Sequence, residues 1–385
     1  MKILVVITDS KMGGVTTAAV NFCNELIQRG NEVFLLDMSS EYLCKGSLDR
    51  AIKIGSLKGQ SCYWNLGKSN IHTKNIFKKI GVGILGIFKK LTVKSGVWYN
   101  FIFKKYKEFG EFDVAIAFRQ CAPCYSFVLN KVKAKKKIGF VHGELKYMGD
   151  ISIWLKYMPD FEKIAYVSNA VKKEFIEKYP QLEKNACTIY NMHNFNGCIE
   201  KSEEETEIKF EEKYFNIITI SRIDNWLKAT NRIPTICKEL KEKVGNIFRW
   251  YIVGDGPDRK SCEEQTREME VEDVLFFLGE KDNPYNLLSR ADLSVLPTKC
   301  EAYGLVVVES LILGVPPIVA EYPALYEILE NNKTGLICKQ DINDIADKII
   351  SVMKDCDLYK RLKENCLAYH YSNDTAYEQF MTAIQ

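Results

Sequence analysis

Two glutamates, Glu301 and Glu309, stand either side of seven uncharged residues in CEAYGLVVVESLILGVPPIVA, and Glu309 lies inside the apolar run Leu305 to Leu313. A carboxylate among apolar neighbours is costly unless something pairs with it. Two cations, Arg222 and Lys228, sit six residues apart upstream in SRIDNWLK. The short apolar runs NIITIS and DLSVLP precede them and Glu301, so these three charges fall in loops beyond strand ends. Gly304 then opens a helix, whose first N–H groups and dipole make an anion site. Two cations and a helix start suit a diphosphate. A carboxylate inside that helix suits a vicinal diol, because its two oxygens can accept from two hydroxyls at once. A diphosphate beside a ribose diol is a nucleotide.

Such a site needs strands with loops gathered at one end. KILVVIT, a glycine turn at GGV, the amphipathic TTAAVNFCNELIQRG and then EVFLLD form a βαβ unit, which requires a parallel sheet. DVAIAF, KKIGFVHG and KIAYVS continue the rhythm, with Ser168 capping the helix NAVKKEFIEKY. The acidic EKSEEETEIKFEE reads as a linker edge. Strands resume at NIITIS, RWYIVGDGP, VLFFLG, DLSVLP and PPIVA, with GLVVVESLIL as a helix between the last two. The expectation is an α/β chain of two Rossmann-like, doubly wound parallel-sheet domains, 1–198 and 199–385, with the last helix free to pack back on the first. Ligands of such sheets bind at the carboxyl ends of the strands, and the cleft between two domains is the default site.

Taken in order, the SR…K loop (Arg222, Lys228), GDGP (Gly254 to Pro257) and the E-x7-E pair (Glu301, Glu309) resemble the C-terminal domain of the retaining nucleotide-sugar glycosyltransferases of family 4, which have the GT-B fold. GGV, FVHGE (Phe140 to Glu144) and YVSNAVKKEF carry a looser resemblance through the first domain. The resemblance implies that Arg222 and Lys228 hold the donor diphosphate and that Glu309 accepts from the ribose hydroxyls. It implies that Glu301 contacts the donor sugar, with Tyr303, Gly304 and Leu305 beside it. Gly14 would let backbone approach the phosphates, and His142 would lie beside the transferred sugar. No metal or cofactor is implied, because the cations supply the charge. The family's Gly-Gly turn is replaced here by EYPALYEIL, which bears on sugar choice.

Other features are weaker. Alone, Glu309 would suit a solvated helix face, and His142 a strand-end histidine. CAPC, Cys121 to Cys124, follows a strand and opens a helix as a redox dithiol would, yet no thioredoxin-sized domain surrounds it, so coincidence in a loop is favoured. Asp355 and Asp357 form a D-x-D in a polar helical region rather than at a strand end, and the four histidines lack ligand spacing. No G-x-G-x-x-G opens the chain, against a dinucleotide dehydrogenase.

The net charge of +3 hides an asymmetry: Arg50 to Lys107 contains thirteen basic residues and no acidic one. Ile76, Ile80, Ile84, Ile87 and Leu91 fall at helical spacing, Lys78–Lys79 and Lys89–Lys90 share a face, and VWYNFIFKKYK supplies aromatics. A basic amphipathic helix of this kind reads as a membrane-surface element across 71–107; the alternative is a core-packed helix with a solvated lysine face. No nucleic-acid module is recognisable. Thirteen scattered cysteines, without a secretion signal, read as reduced thiols.

These readings converge on a cytoplasmic enzyme, peripheral on the inner membrane face. It would move a hexose-type sugar from a nucleotide diphosphate, UDP favoured and GDP possible, to a lipid-linked or oligosaccharide acceptor in bacterial surface polysaccharide synthesis. The alternatives are a nucleotide-sugar epimerase of the same fold and a non-catalytic nucleotide-sugar-binding scaffold.

Overall fold

KILVVI forms the first strand with five consecutive buried residues, the pattern of a strand covered on both faces rather than one. The structure, a computed structural model, describes residues 1–8, 13–38, 48–56, 90–92, 97–103 and 109–385. It divides into two units, Met1–His193 with Asn373–Gln385, and Asn194–Ser372.

In the first unit, strands β1 (Lys2–Ile7), β2 (Glu32–Asp37), β3 (Lys53–Ser56), β4 (Phe109–Ala117), β5 (Val132–Val141), β6 (Lys163–Tyr166) and β7 (Ala186–Thr188) form one sheet in the order β3-β2-β1-β4-β5-β6-β7. Every pairing is parallel. The connecting helices include α1 (Gly14–Gln28), α2 (Val97–Phe103), α3 (Ala122–Lys131) and α4 (Asn169–Lys178). α1 buries Ala18, Ala19, Phe22, Cys23 and Leu26 at helical spacing. α4 starts where Ser168 accepts from the Val171 N–H at 3.2 Å. Order reverses between β1 and β4, making that pair the switch point of this sheet.

The second unit repeats the order. β8 (Phe215–Ile220), β9 (Phe248–Val253), β10 (Leu275–Gly279), β11 (Leu293–Leu296), β12 (Pro317–Ala320) and β13 (Leu336–Cys338) run β10-β9-β8-β11-β12-β13, all parallel. Its helices are α5 (Phe195–Ser202), α6 (Arg232–Val244), α7 (Arg259–Glu268), α8 (Tyr285–Leu288), α9 (Leu305–Ile312), α10 (Ile342–Lys354) and α11 (Cys356–Leu367). Ile217, Trp250, Val295 and Ile318 from the sheet pack with Ile233, Ile236, Ile345 and Ile349 from the helices. The Trp250 indole donates to Thr219 Oγ1 at 3.0 Å, and that hydroxyl donates to the Val295 carbonyl at 2.6 Å. This buried chain ties β9, β8 and β11 together with its polar atoms satisfied. The switch point lies between β8 and β11.

Two expectations, the boundary between the units and the linker after Glu200, meet a different outcome. The units divide after His193 rather than after 198, and α5 belongs to the second. The C-terminal helix, Asp374–Ile384, packs in the first unit. There Phe380 meets Phe22 edge-on at 5.4 Å, and the Asn373 amide donates to Glu25 Oε2 at 2.6 Å and to the His193 carbonyl at 2.9 Å. The acidic stretch after Glu200 is not a free linker. Asn283 donates to the Lys201 carbonyl and to Glu204, and Arg290 to the Ser202 and Glu204 carbonyls, which fastens it to the second unit.

The aromatics expected at a membrane surface are mostly core. In α2, Trp98, Tyr99 and Phe103 are buried, Phe103 against Phe127 of α3 at 5.4 Å, while Val97 and Phe101 stay exposed. Seven residues of helix cannot present all their aromatics outward when one face packs on α3. The lysine-bearing spacing from Ile76 to Lys89 lies outside the described residues. Among the described residues no helix is long and apolar enough to cross a membrane.

Candidate nucleotide-binding site

The loop after β8 is shaped by close backbone packing. A Cβ on Gly254 would lie 2.0 Å from the Ser221 carbonyl oxygen, and one on Gly256 2.1 Å from that of Ile223. The Ile223 N–H donates to the Asp255 carbonyl at 3.0 Å. GDGP therefore acts as a bed for Ser221–Ile223, and only glycine permits that approach. Beyond it, Asp224 Oδ1 accepts from the Trp226 and Leu227 N–H groups at 2.9 and 3.0 Å, and Asp258 accepts from Asn225 at 2.7 Å. These turn-forming bonds fix the chain between Arg222 and Lys228.

The loop after β11 is stitched to the first. Lys299 N–H and Thr298 Oγ1 both donate to the Leu227 carbonyl, at 2.8 and 3.0 Å. Across this seam the Lys228 ammonium makes an ion pair with Glu301 Oε1. Lys228 is 26% exposed and Glu301 18%, so the pair is half-sheltered at the switch point. Arg222 is 65% exposed, with Asp224 Oδ2 at 3.6 Å from Nη2. The structure thus brings Arg222, Lys228 and Glu301 to one place, the carboxyl ends of the two central strands.

Gly304 has φ +103°, and a Cβ there would meet Tyr322 Oη at 2.2 Å. Left-handed backbone with no room for a side chain demands glycine, and it aims the α9 N-terminus at the loop carrying Glu301. No side chain caps that terminus. Tyr322 donates to the Tyr303 carbonyl at 3.2 Å, and both rings are buried; Leu305 is half-buried. The unusual EYPALYEIL segment therefore props the helix start through Tyr322. Tyr326 of the same segment is exposed.

Glu309 is buried, and its partner in the structure is the Tyr285 hydroxyl, which donates to Oε1 at 3.1 Å. A phenol on α8 answers this carboxylate where the sequence suggested a diol alone. Burial pushes the Glu309 carboxyl up to about 7, and the Tyr285 bond opposes part of that rise. The negative charge of Glu309 and burial in turn raise the Tyr285 hydroxyl, and burial raises the nearby Cys198 thiol of α5 to about 12. Tyr285 was missed because 24 residues and a strand separate it from Glu309, a distance at which sequence carries no periodic signal.

In the first unit, His142 follows β5. Its ring lies 4.6 Å from Phe118 and stacks on Phe140 at 5.5 Å. Burial lowers it to about 3, so the imidazole is neutral. It donates to the Phe118 carbonyl, and Nε2 has no partner, leaving a bare acceptor. Gly14 begins α1. His193, given no role, is buried and neutral, and its N–H donates to Asn373 at 2.9 Å. Asp355 proves to be the α11 N-cap, accepting from Asp357 and Leu358. Among the described residues no group of three or more His, Cys, Asp or Glu could hold a metal ion.

Residues 200–367 match the family described as "Glycosyl transferases group 1". The matched residues include Arg222, Lys228, Glu301 and Glu309. The N-acetyl-alpha-D-glucosaminyl L-malate synthase of Bacillus anthracis is 28% identical over 220 residues, 56% of this chain and 55% of that one. The chain thus spans about half the length of that curated relative. Among solved structures, a TarM variant of S. aureus, crystallised with Fondaparinux, alpha-GlcNAc-glycerol and UDP, superposes with a TM-score of 0.74 at 14% identity over all of both chains. HepE of Anabaena, in complex with UDP, gives 0.69 at 16% identity over 100% of this chain and 99% of its own. At these identities the likeness is one of fold: two Rossmann-like parallel-sheet units of the GT-B type.

Proposed function

We propose that the protein transfers a hexose-type sugar from a nucleotide diphosphate sugar, UDP-linked by preference, to a lipid-linked or oligosaccharide acceptor in bacterial polysaccharide or glycoconjugate synthesis. Anomeric configuration is retained and no metal ion takes part. The observation that carries this reading is the Lys228–Glu301 ion pair across the switch point, with exposed Arg222 on one side and the uncapped α9 start on the other.

When the glycosidic bond breaks, negative charge builds on the leaving diphosphate. Fixed cations and helix-end N–H groups aimed there lower the barrier, each worth about 2–4 kcal/mol. In this scheme the arriving diphosphate takes up the Lys228 ammonium, and Arg222 folds onto it. Glu301, released from its ion pair, turns to hydroxyls of the donor sugar. Tyr285 holds one oxygen of Glu309, and the rest of that carboxylate's acceptor capacity serves the ribose diol. His142, neutral and with Nε2 unpaired, accepts from a substrate hydroxyl rather than contributing charge. UDP in the TarM and HepE crystals supports a diphosphate donor here.

We assign the acid-free basic segment to the anionic inner face of the membrane, through its lysines ahead of α2. Flotation with anionic liposomes that salt abolishes is the expected result; flotation indifferent to salt would remove that partner. For the reaction itself, a panel of nucleotide sugars is incubated with the protein and slow donor hydrolysis is followed. One UDP-sugar should be consumed without added metal and in the presence of chelator. A panel that is wholly inert, or a sugar interconverted without release of UDP, would defeat the transferase reading.

A further inference from the structure

The first unit has its own switch point, and the loop beyond β4 carries CAPC. Cys121 is the N-cap of α3 and Cys124 lies in its first turn, a spacing that places both sulfurs on one helix face. Cys121 is half-buried, with Sγ 3.6 Å from Thr8 Oγ1 just beyond β1. Cys124 is fully buried, and its thiol donates to the Val6 carbonyl at 3.3 Å. A half-buried cysteine at a helix start, backed one turn later by a fully buried one, is the arrangement of an attacking and a resolving cysteine. The electrostatics run the same way. The neighbouring Cys124 side chain, with its backbone N–H, Thr8 and Arg119, brings the Cys121 thiol down to about 7 against the opposing effect of burial. Burial pushes Cys124 up.

We propose that Cys121 and Cys124 are a redox-active dithiol that exchanges with low-molecular-weight disulfides. The Cys121 thiolate attacks one sulfur of the disulfide RSSR, forming Cys121–S–S–R and expelling RS⁻. That thiolate takes the Cys124 proton, and Cys124 attacks Cys121 Sγ, closing the intramolecular disulfide and expelling a second RS⁻. Two electrons pass to RSSR, and both protons of the dithiol end on two molecules of RSH. The second step is intramolecular, so burial of Cys124 does not impede it and shields it from the first.

The exchange reaches His142. Phe118, whose carbonyl accepts from the His142 ring, and Gln120, whose side-chain oxygen accepts from the His142 N–H at 3.2 Å, both lie in the loop that ends at Cys121. Closing the disulfide withdraws Cys124 from the Val6 carbonyl and re-aims Cys121 at the N-cap. This consequence rests on the substrate role given to His142; the dithiol chemistry does not.

The test uses the full chain in glutathione buffers of graded ratio, quenched with acid, alkylated and digested with trypsin. Cleavage after Arg119 and Lys131 yields one peptide holding both cysteines. In oxidised buffer this peptide should be lighter by two hydrogens and refuse alkylation. Cys124→Ser should instead trap a glutathione adduct on Cys121, and Cys121→Ser, checked for wild-type circular dichroism and melting, should give neither product. Donor turnover should fall about tenfold on oxidation and recover with dithiothreitol, a loss typical of a misplaced site residue. A folded protein whose peptide stays reduced in oxidised buffer, or a Cys124→Ser variant without adduct, overturns the dithiol. A disulfide that forms with turnover unchanged overturns the link to His142. A disulfide in a protein that turns over no donor leaves the dithiol standing and refutes the transferase instead.

Discussion

Beyond β8 and β11 of the second unit the chain sets Arg222, Lys228 and Glu301. Beyond β1 and β4 of the first, the corresponding turns carry Thr8, Arg119, Gln120 and Cys121, and the histidine after β5 is neutral. The strand order is the same in both sheets, and so is the place where ligands of such sheets bind. What differs is the charge delivered there. The second unit presents two cations, a paired carboxylate and a helix start; the first presents a single arginine among uncharged donors and acceptors, with a thiol pair. Topology supplies the location, and a handful of loop residues decide whether it suits a polyanion or a neutral group.

That contrast breaks most visibly at Lys228. Lys228→Ala removes a diphosphate cation and strands the Glu301 charge, so turnover of the donor should fall about 100- to 1,000-fold in a steady-state assay. Glu309→Ala should weaken UDP binding about 10- to 100-fold by calorimetry, the worth of hydrogen bonds to a charged acceptor. If His142→Ala reduced UDP affinity as much as either, the division of labour between the units would be wrong.

The buried carboxylate also sets a pH dependence. Glu309 has an ordinary value of 4.5 and sits at about 7 in the fold. Below 4.5 it is protonated in both states and costs nothing extra. Between the two values the unfolded chain releases its proton first, so stability falls as pH rises and levels off above about 7. Glu309→Gln should remove that slope and, in denaturant titrations at pH 8, exceed the wild type by up to about 3 kcal/mol. Tyr285→Phe, which deletes the bond that restrains the rise, should extend the falling limb to higher pH while its start near 4.5 stays in place. Smaller again is Gly304→Ala, whose Cβ meets Tyr322 Oη; a loss of about 1–2 kcal/mol is expected, partly restored by Tyr322→Phe.

Much of this was legible in the sequence because it is written locally. Unbroken apolar runs such as KILVVI and NIITI announce strands buried on both faces, and Ser168 announces the start of α4. Arg222, Lys228 and Glu301 were found from their places after such runs. The partners were not. The Lys228–Glu301 pair spans 73 residues and the Tyr285–Glu309 bond 24, and nothing periodic links them. GDGP was visible as glycine-rich, but its purpose, to bed the carbonyls of Ser221 and Ile223, appears only when the strands lie side by side. VWYNFIF has the composition of a membrane-surface segment, and burial of Trp98, Tyr99 and Phe103 shows why composition alone cannot choose between lipid and core. CAPC was discounted for want of a familiar surrounding domain, although its register at the start of α3 was already in the sequence.

The diphosphate assignment of the second switch point is tested most directly by calorimetry with UDP and with uridine on the wild type and Lys228→Ala. The two ligands share base and ribose and differ in the charged group alone. UDP should bind at least about tenfold more weakly to the variant, with uridine unchanged. Equal losses for both ligands, or no loss for UDP, would contradict a diphosphate held at Lys228.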